Sequence, residues 1–68
     1  METIARKLIE KAYGATNLMY EMRNLLDEKH LFLDIDTGRR FLVIRKRGQY
    51  VLQELLAGDT KCYSAEEV

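Results

Sequence analysis

The sequence predicts an α+β domain that is dimeric through its helix: a long N-terminal helix is followed by an antiparallel β-meander of three or four strands. The first observation is a stripe of apolar and small residues with heptad spacing over residues 1–29. The second is a series of segments in which apolar and polar residues alternate, and the third is a glycine in each connection between them. We assign all 68 residues to one domain, divided into helix (1–29), meander (31–63) and tail (64–68).

The helix prediction depends on apolar spacings that alternate between three and four residues. The stripe keeps its phase through Gly14, so we predict one uninterrupted helix, although glycine inside a helix costs about 1 kcal/mol relative to alanine. The alternative is a break at Gly14, with Thr16 or Asn17 capping a second helix. The stripe consists of Met1, Ala5, Leu8, Ala12, Ala15, Met19, Met22 and Leu26.

The length of this predicted helix indicates a second copy of the chain. A helix of about 27 residues is about 40 Å long, whereas strands of about six residues span only about 20 Å. One sheet therefore leaves part of the helix uncovered, and a symmetric homodimer with paired helices would cover it. The candidate dimer interface consists of Ala5, Leu8, Ala12, Ala15, Met19, Met22 and Leu26.

Residues 31–36, 40–46 and 49–55 alternate apolar and polar side chains, which predicts three strands. Both connections end in glycine, as in a three-residue hairpin loop whose last residue is left-handed. Two such loops fix one register. Its apolar rows join Leu31 with Val43 and Val51, and Leu33 with Phe41. Its charged row joins Asp34, Arg40 and Glu54.

Two parts of the C-terminal half have alternative interpretations. Residues 49–57 also fit a short helix that ends at Gly58. Residues 61–63 fit a fourth short strand. Ser64 and Glu67 have the spacing of a capping box, so the tail is either frayed or the start of a helix in a longer protein.

The overall charge and the cysteine content narrow the class of protein. Eleven Lys and Arg balance eleven Asp and Glu, whereas a nucleic-acid coat or a polybasic membrane anchor needs a large positive excess. No apolar run approaches the ~18 residues of a membrane span. The single cysteine excludes an internal disulfide and a multi-cysteine zinc site. We therefore expect a soluble, reduced, cytoplasmic protein without a membrane partner.

Positive charge is nevertheless concentrated in the predicted hairpins. Residues 31–48 contain five cations and two anions. A basic two-stranded ribbon can contact phosphates, which makes these cations the candidate nucleic-acid-binding residues. The alternative is a charged sheet edge that deters aggregation. The five cations are Arg39, Arg40, Arg45, Lys46 and Arg47.

Residues Asp36-Thr37-Gly38 resemble the three-residue active-site signature of aspartic proteases, but a turn explains the same residues. No other pattern in the sequence is typical of catalysis or of cofactor binding. The four glycines are too scattered for a phosphate-binding loop, and no nucleophile has a neighbouring base. Ion pairing and turn formation explain Asp34 and Asp36, and structural roles explain His30 and Cys62. We therefore predict that the chain is not an enzyme and has no cofactor or metal site.

These observations favour a small non-enzymatic interaction or regulatory protein, a homodimer that binds another macromolecule through a surface that the sequence does not define. The expected partner is an unidentified protein. One alternative is a nucleic-acid-binding protein that uses the arginine-rich hairpin. Another is a fragment or subunit of a larger assembly.

Overall fold

One helix and a five-stranded antiparallel sheet make up the fold in the computed structural model, which describes residues 2–24 and 28–65. The strands are hydrogen-bonded in chain order, so the predicted α+β class and the meander are confirmed. The predicted strand number is wrong, because residues 18–24 form a strand as well. The elements are α1 (Glu2–Tyr13), β1 (Leu18–Asn24), β2 (Lys29–Asp34), β3 (Arg40–Lys46), β4 (Gln49–Glu54) and β5 (Thr60–Ser64).

The predicted helix over residues 1–29 is wrong, because α1 ends at Tyr13. Gly14 follows with a φ of 74°, and its N–H donates to the carbonyl of Glu10 at 2.8 Å. This left-handed residue is the usual way to end a helix, and glycine adopts it without a Cβ clash. The alternative of a break at Gly14 is therefore confirmed, although a strand rather than a second helix follows.

A bulge in β1 explains why a strand has the spacing of a heptad stripe. The pairing of β1 with β2 shifts between Tyr20 and Met22, so Glu21 is an extra residue in the ladder. Met19 and Met22 pair with residues 33 and 31 and consequently lie on the same face of the sheet. They are three residues apart, as they would be on one side of a helix.

The core lies between α1 and one face of the sheet. Ala5 and Ile9 of α1 are fully buried, and so are Phe32, Phe41 and Leu52 of the sheet. Tyr13 extends this layer, because the centroid of its ring lies 4.6 Å from the centroid of the Phe41 ring. The remaining buried apolar residues are Leu8, Ala15, Leu18, Val43 and Tyr50.

The predicted register is wrong by one residue in both hairpins. The turn between β3 and β4 has two residues, Arg47 and Gly48, with φ values of 49° and 76° as in a type I′ turn. The loop between β2 and β3 has four residues (35–38), closed by the Asp34 N–H that donates to the Arg39 carbonyl at 2.7 Å. A shift of one residue exchanges the faces of a strand.

The exchange of faces replaces the predicted rows by others. Phe32 lies opposite Phe41, and Leu31 lies opposite Leu42. The predicted charged row of Asp34, Arg40 and Glu54 does not form, because Arg40 lies on the face away from α1. The strand interpretation of residues 49–55 is confirmed by β4, and the fourth predicted strand is confirmed by β5. The predicted capping box extends to Glu67, which lies outside the described residues.

We expect Gly14→Ala to lower the free energy of unfolding by about 1 kcal/mol or more, because alanine is strained at positive φ. A continuous helix through this position would give the opposite sign, a gain of about 1 kcal/mol. Urea denaturation followed by circular dichroism measures the difference. The control is Lys7→Ala, an exposed change within α1 that is expected to alter stability by less than about 0.5 kcal/mol.

Candidate functional site

The sheet face away from α1 is apolar and is not covered by any other described part of the chain. We call it the open face. Two of its residues, Met19 and Met22, are 46% and 50% exposed, and its other apolar residues are half-buried by their neighbours in the sheet. The apolar residues of the open face are Met19, Met22, Leu31, Leu33, Leu42, Ile44 and Val51.

The strand register arranges these residues in rows across the sheet. One row runs through Met22, Leu31, Leu42, Gln53 and Thr60. A second row runs through Lys29, Ile44, Val51 and Cys62. A third, shorter row runs through Met19, Leu33 and Arg40. The middle of the open face is therefore aliphatic, and charged residues lie at its margins.

The open face contains no aromatic side chain. All six aromatic residues of the chain are within the described residues, and all lie on the side of α1. A sheet that binds single-stranded nucleic acid stacks bases on exposed aromatic rings. The open face therefore lacks the groups for base stacking, and its aliphatic and methionine side chains suit a protein surface.

Sequence reasoning predicts apolar residues on both faces of the sheet, but the wrong register divides the residues of the open face between the two. That register groups Leu31 and Leu33 with Phe41 and Val43, which in fact lie under α1. The signal in the sequence is that β2 and β3 carry apolar residues at both odd and even positions. Such strands are covered on both faces in many proteins.

The candidate dimer stripe is not one continuous surface. Ala5, Leu8 and Ala15 are buried in the core of the same chain, and Ala12 packs against that core. Met19 and Met22 lie on the open face, on the other side of the sheet. Leu26 falls outside the described residues. Pairing along this stripe would require the helix over residues 1–29 that the chain does not form, so the homodimer stays a prediction without this interface.

The five candidate nucleic-acid-binding residues are divided between the two ends of β3. Arg39 and Arg40 lie at its start, whereas Arg45, Lys46 and Arg47 lie at its end and in the following turn. The two groups are about 20 Å apart by the rise of a seven-residue strand. The last three are exposed, and together they form the cationic tip of the β3–β4 hairpin.

Arg39 and Arg40 are both paired with carboxylates. Arg39 donates from Nε to Glu54 Oε2 at 2.9 Å and from Nη2 to the second oxygen, and its guanidinium lies 5.1 Å from the ring centroid of Phe41. The hydrogen bond with Glu54 raises the pKa of Arg39 and lowers the pKa of the Glu54 carboxyl. Arg40 donates from Nε to Glu21 at 2.9 Å. Both guanidinium groups are therefore engaged by carboxylates of the same chain.

An open cleft of about 510 Å³ lies between the β2–β3 and β4–β5 loops. Residues 37–40 and 54–57 line it, so its charged groups are the paired Arg39, Arg40 and Glu54. Leu56 at its margin is fully exposed and has a φ of 75°. The lining contains no histidine or cysteine, and the described residues contain no group of three His, Cys, Asp or Glu that could hold a metal ion.

His30 is a buried titratable group on the sheet face that packs against α1. Its side chain is 5% exposed, and the Tyr20 hydroxyl donates to its Nδ1 at 2.5 Å when the ring is neutral. Burial lowers the pKa of His30, and Arg23 opposite it on β1 lowers it further, whereas Glu2 and Glu28 oppose this change. The His30 ring also stacks with that of Tyr20, with 5.4 Å between the ring centroids, and it lies within β2 rather than at the end of a helix.

We expect stability to decrease as the pH falls from about 7 to 5, because the pKa of His30 is lower in the folded chain than its value of about 6.5 in the unfolded chain. The unfolded state then binds more protons below about pH 6.5, because protonation in the folded state places a charge on a ring that is removed from water. Urea midpoints measured at several pH values should fall in this range in the wild type. The matched variant His30→Gln keeps an acceptor for Tyr20, and its curve should be flatter; an equal slope would contradict the assignment.

No helix of the described residues is long and apolar enough to cross a membrane. Comparison of the chain with protein-family models, with curated proteins and with solved structures finds no match. The candidate site is therefore defined by its own geometry: an aliphatic sheet face with charged residues at its margins and all aromatic rings on the other side.

Proposed function

We propose that the chain is a non-enzymatic interaction module, with a regulatory role, that binds an amphipathic acidic helix of a partner protein on its open face. The observation that carries this proposal is the aliphatic face that α1 leaves uncovered. Sheets with apolar residues on both faces are ordinarily covered on both faces. A helix from another protein would supply the missing layer.

The charges at the margins of the open face favour an acidic partner. The register places Lys29, Arg40 and Lys46 on this face. Arg40 is paired with Glu21, and Lys29 also has an interaction within the chain. Face-to-face packing of two copies would bring these like-charged margins together, which opposes self-association through this surface. A helix with glutamate beside an apolar stripe would meet cations at the margin and aliphatic groups in the middle.

The dimensions of the sheet also suit one helix. Five strands at about 4.8 Å spacing give a width of about 20 Å, which a helix of about 14 residues crosses. The helix α1 has 12 residues and covers the opposite face on the same scale. The sheet would then be enclosed between its own helix and that of the partner.

The test uses a labelled synthetic helix of about 16 residues, with leucine along one side and glutamate on its flanks, and fluorescence anisotropy as the readout. We expect micromolar binding that weakens by roughly tenfold when lysine replaces the flanking glutamate, because the margins of the open face are cationic. Met22→Gln should also weaken binding, and this residue is exposed enough to be changed without unfolding the chain. Lys7→Gln, on the outer side of α1, is the matched control and should leave binding unchanged.

The proposal is wrong if neither helix binds, or if Met22→Gln and Lys7→Gln bind the acidic helix equally. A native mass that exceeds that of one chain and is reduced by Met22→Gln alone would instead assign the open face to a second copy. Amide chemical shifts of Leu31, Leu42 and Val51 locate the bound helix by a second method. If the helix binds on the open face, the chemical shifts of these amides must change.

The cationic tip of the β3–β4 hairpin carries a second candidate function, nucleic-acid binding. Arg45, Lys46 and Arg47 are exposed together at the end of β3 and in the turn that follows, and such a group of cations can contact phosphates. Arg39 and Arg40 do not support this function, because both are paired with carboxylates. The same interaction role would hold if the chain is a subunit of a larger assembly.

If the tip binds nucleic acid, labelled duplex DNA or single-stranded RNA should bind at about 50 mM salt and weaken strongly at about 200 mM salt, because phosphate contacts release counterions. Arg45→Glu with Arg47→Glu should abolish that binding. The matched control is Arg40→Gln, which removes a cation at the other end of β3 and should leave the affinity nearly unchanged. Absence of binding at high micromolar protein would exclude this second function.

A further inference from the structure

We propose that β5 pairs with β5 of a second copy of the chain, antiparallel and centred on Cys62, so that the two sheets form one continuous sheet. This inference goes beyond the proposed function, because it uses an edge of the sheet rather than the open face. The two surfaces are separate, and neither proposal requires the other. Three features support the pairing: the backbone of β5, the difference between the two sheet edges, and the residues that would lie opposite each other.

The backbone of β5 has hydrogen-bonding groups directed away from the sheet. The Ala65 N–H donates to the Gly48 carbonyl at 2.8 Å, and hydrogen-bonded pairs in an antiparallel ladder recur at every second residue. Lys61 and Tyr63 therefore bond to β4, whereas Thr60 and Cys62 direct their N–H and C=O groups outward. No described strand lies beyond β5.

The two edges of the sheet differ in how they resist pairing. The other edge strand, β1, has a bulge at Glu21 and carries the exposed, charged Arg23, which are two devices that prevent edge-to-edge association. The pairing of β5 with β4 is regular over all five residues. Its one charged residue does not guard the edge, because Lys61 donates from Nζ to the Ala12 carbonyl at 2.9 Å.

A pairing centred on Cys62 uses the whole strand and avoids opposed charges. It overlaps Thr60–Ser64 completely with the same segment of the second copy. Lys61 would lie opposite the partner's Tyr63, an aromatic ring, whereas a pairing centred on Lys61 would set two ammonium groups opposite each other. The geometry is self-complementary, as a two-fold interface requires.

The first experiment measures disulfide formation with diamide as the oxidant. Two Cys62 thiols lose two protons and two electrons to diamide and form one S–S bond between the copies, since this is the only cysteine of the chain. In the proposed pairing the two Cα atoms are about 5.5 Å apart, within the range of a disulfide. We therefore expect rapid conversion of the wild type to a covalent dimer at low micromolar concentration.

The matched control moves the thiol by two residues along the same side of β5. In the double variant Cys62→Ser with Thr60→Cys, the two cysteines would be about 13 Å apart, too far for a disulfide. Its cross-linking should be at least roughly tenfold slower than that of the wild type. Equal rates would mean collision of exposed thiols and would overturn the proposal.

The second experiment needs no oxidant. Sedimentation under reducing conditions should give the mass of two chains for the wild type and for Cys62→Ser, and the mass of one chain for Cys62→Pro. Proline removes only an N–H that points away from β4, so the sheet should stay intact, as circular dichroism can verify. If Cys62→Pro unfolds, the comparison of cross-linking rates between the wild type and the double variant still tests the proposal. A wild type that sediments as one chain at concentrations up to about millimolar overturns the proposal. Binding of the acidic helix to the open face can be measured on monomer and dimer alike, so the two proposals can fail separately.

Discussion

The pairing of Phe32 with Phe41 at the centre of the sheet is the contact on which the rest of the structure depends. Both side chains are fully buried, and α1 packs over them with Ala5 and Ile9. Burial of each such side chain stabilises the fold by about 1.5–3 kcal/mol, so this layer supplies a large part of the hydrophobic stabilisation available to a short chain. The register that brings these two rings together also decides which residues are left on the other side.

That register is held by backbone geometry at the turns. Arg47 and Gly48 both have positive φ, and this tight turn allows only one alignment of β3 with β4. Once Phe41 and Val43 face α1, alternation places Leu42 and Ile44 on the open face. The aliphatic surface is thus a consequence of the same two-residue turn that completes the core. The single helix among the described residues covers only one of the two apolar sheet faces.

The sequence predicts the elements better than their arrangement. The alternation of residues 31–55 identifies β2, β3 and β4, because short alternating segments separated by glycine are typical of strands joined by hairpin turns. The helix boundary fails at Gly14, since a glycine is compatible with a tolerated helical position and with a left-handed cap. The bulge at Glu21 gives Met19 and Met22 a helical spacing within a strand, and only the pairing with β2 reveals it. The basic cluster is visible in the sequence, but its division along β3 and the pairing of Arg39 with a carboxylate depend on the tertiary fold.

The bulge in β1 also limits how far an assembly of this chain can grow. Association through β5 would use the same edge on both copies, which leaves two bulged β1 strands as the outer edges of the joined sheet. An interface of this kind closes after two subunits, whereas a sheet with two open edges could add chains without end. The extra residue at Glu21 would thus prevent further strand addition, so that the assembly stops at two subunits and does not grow into a fibril.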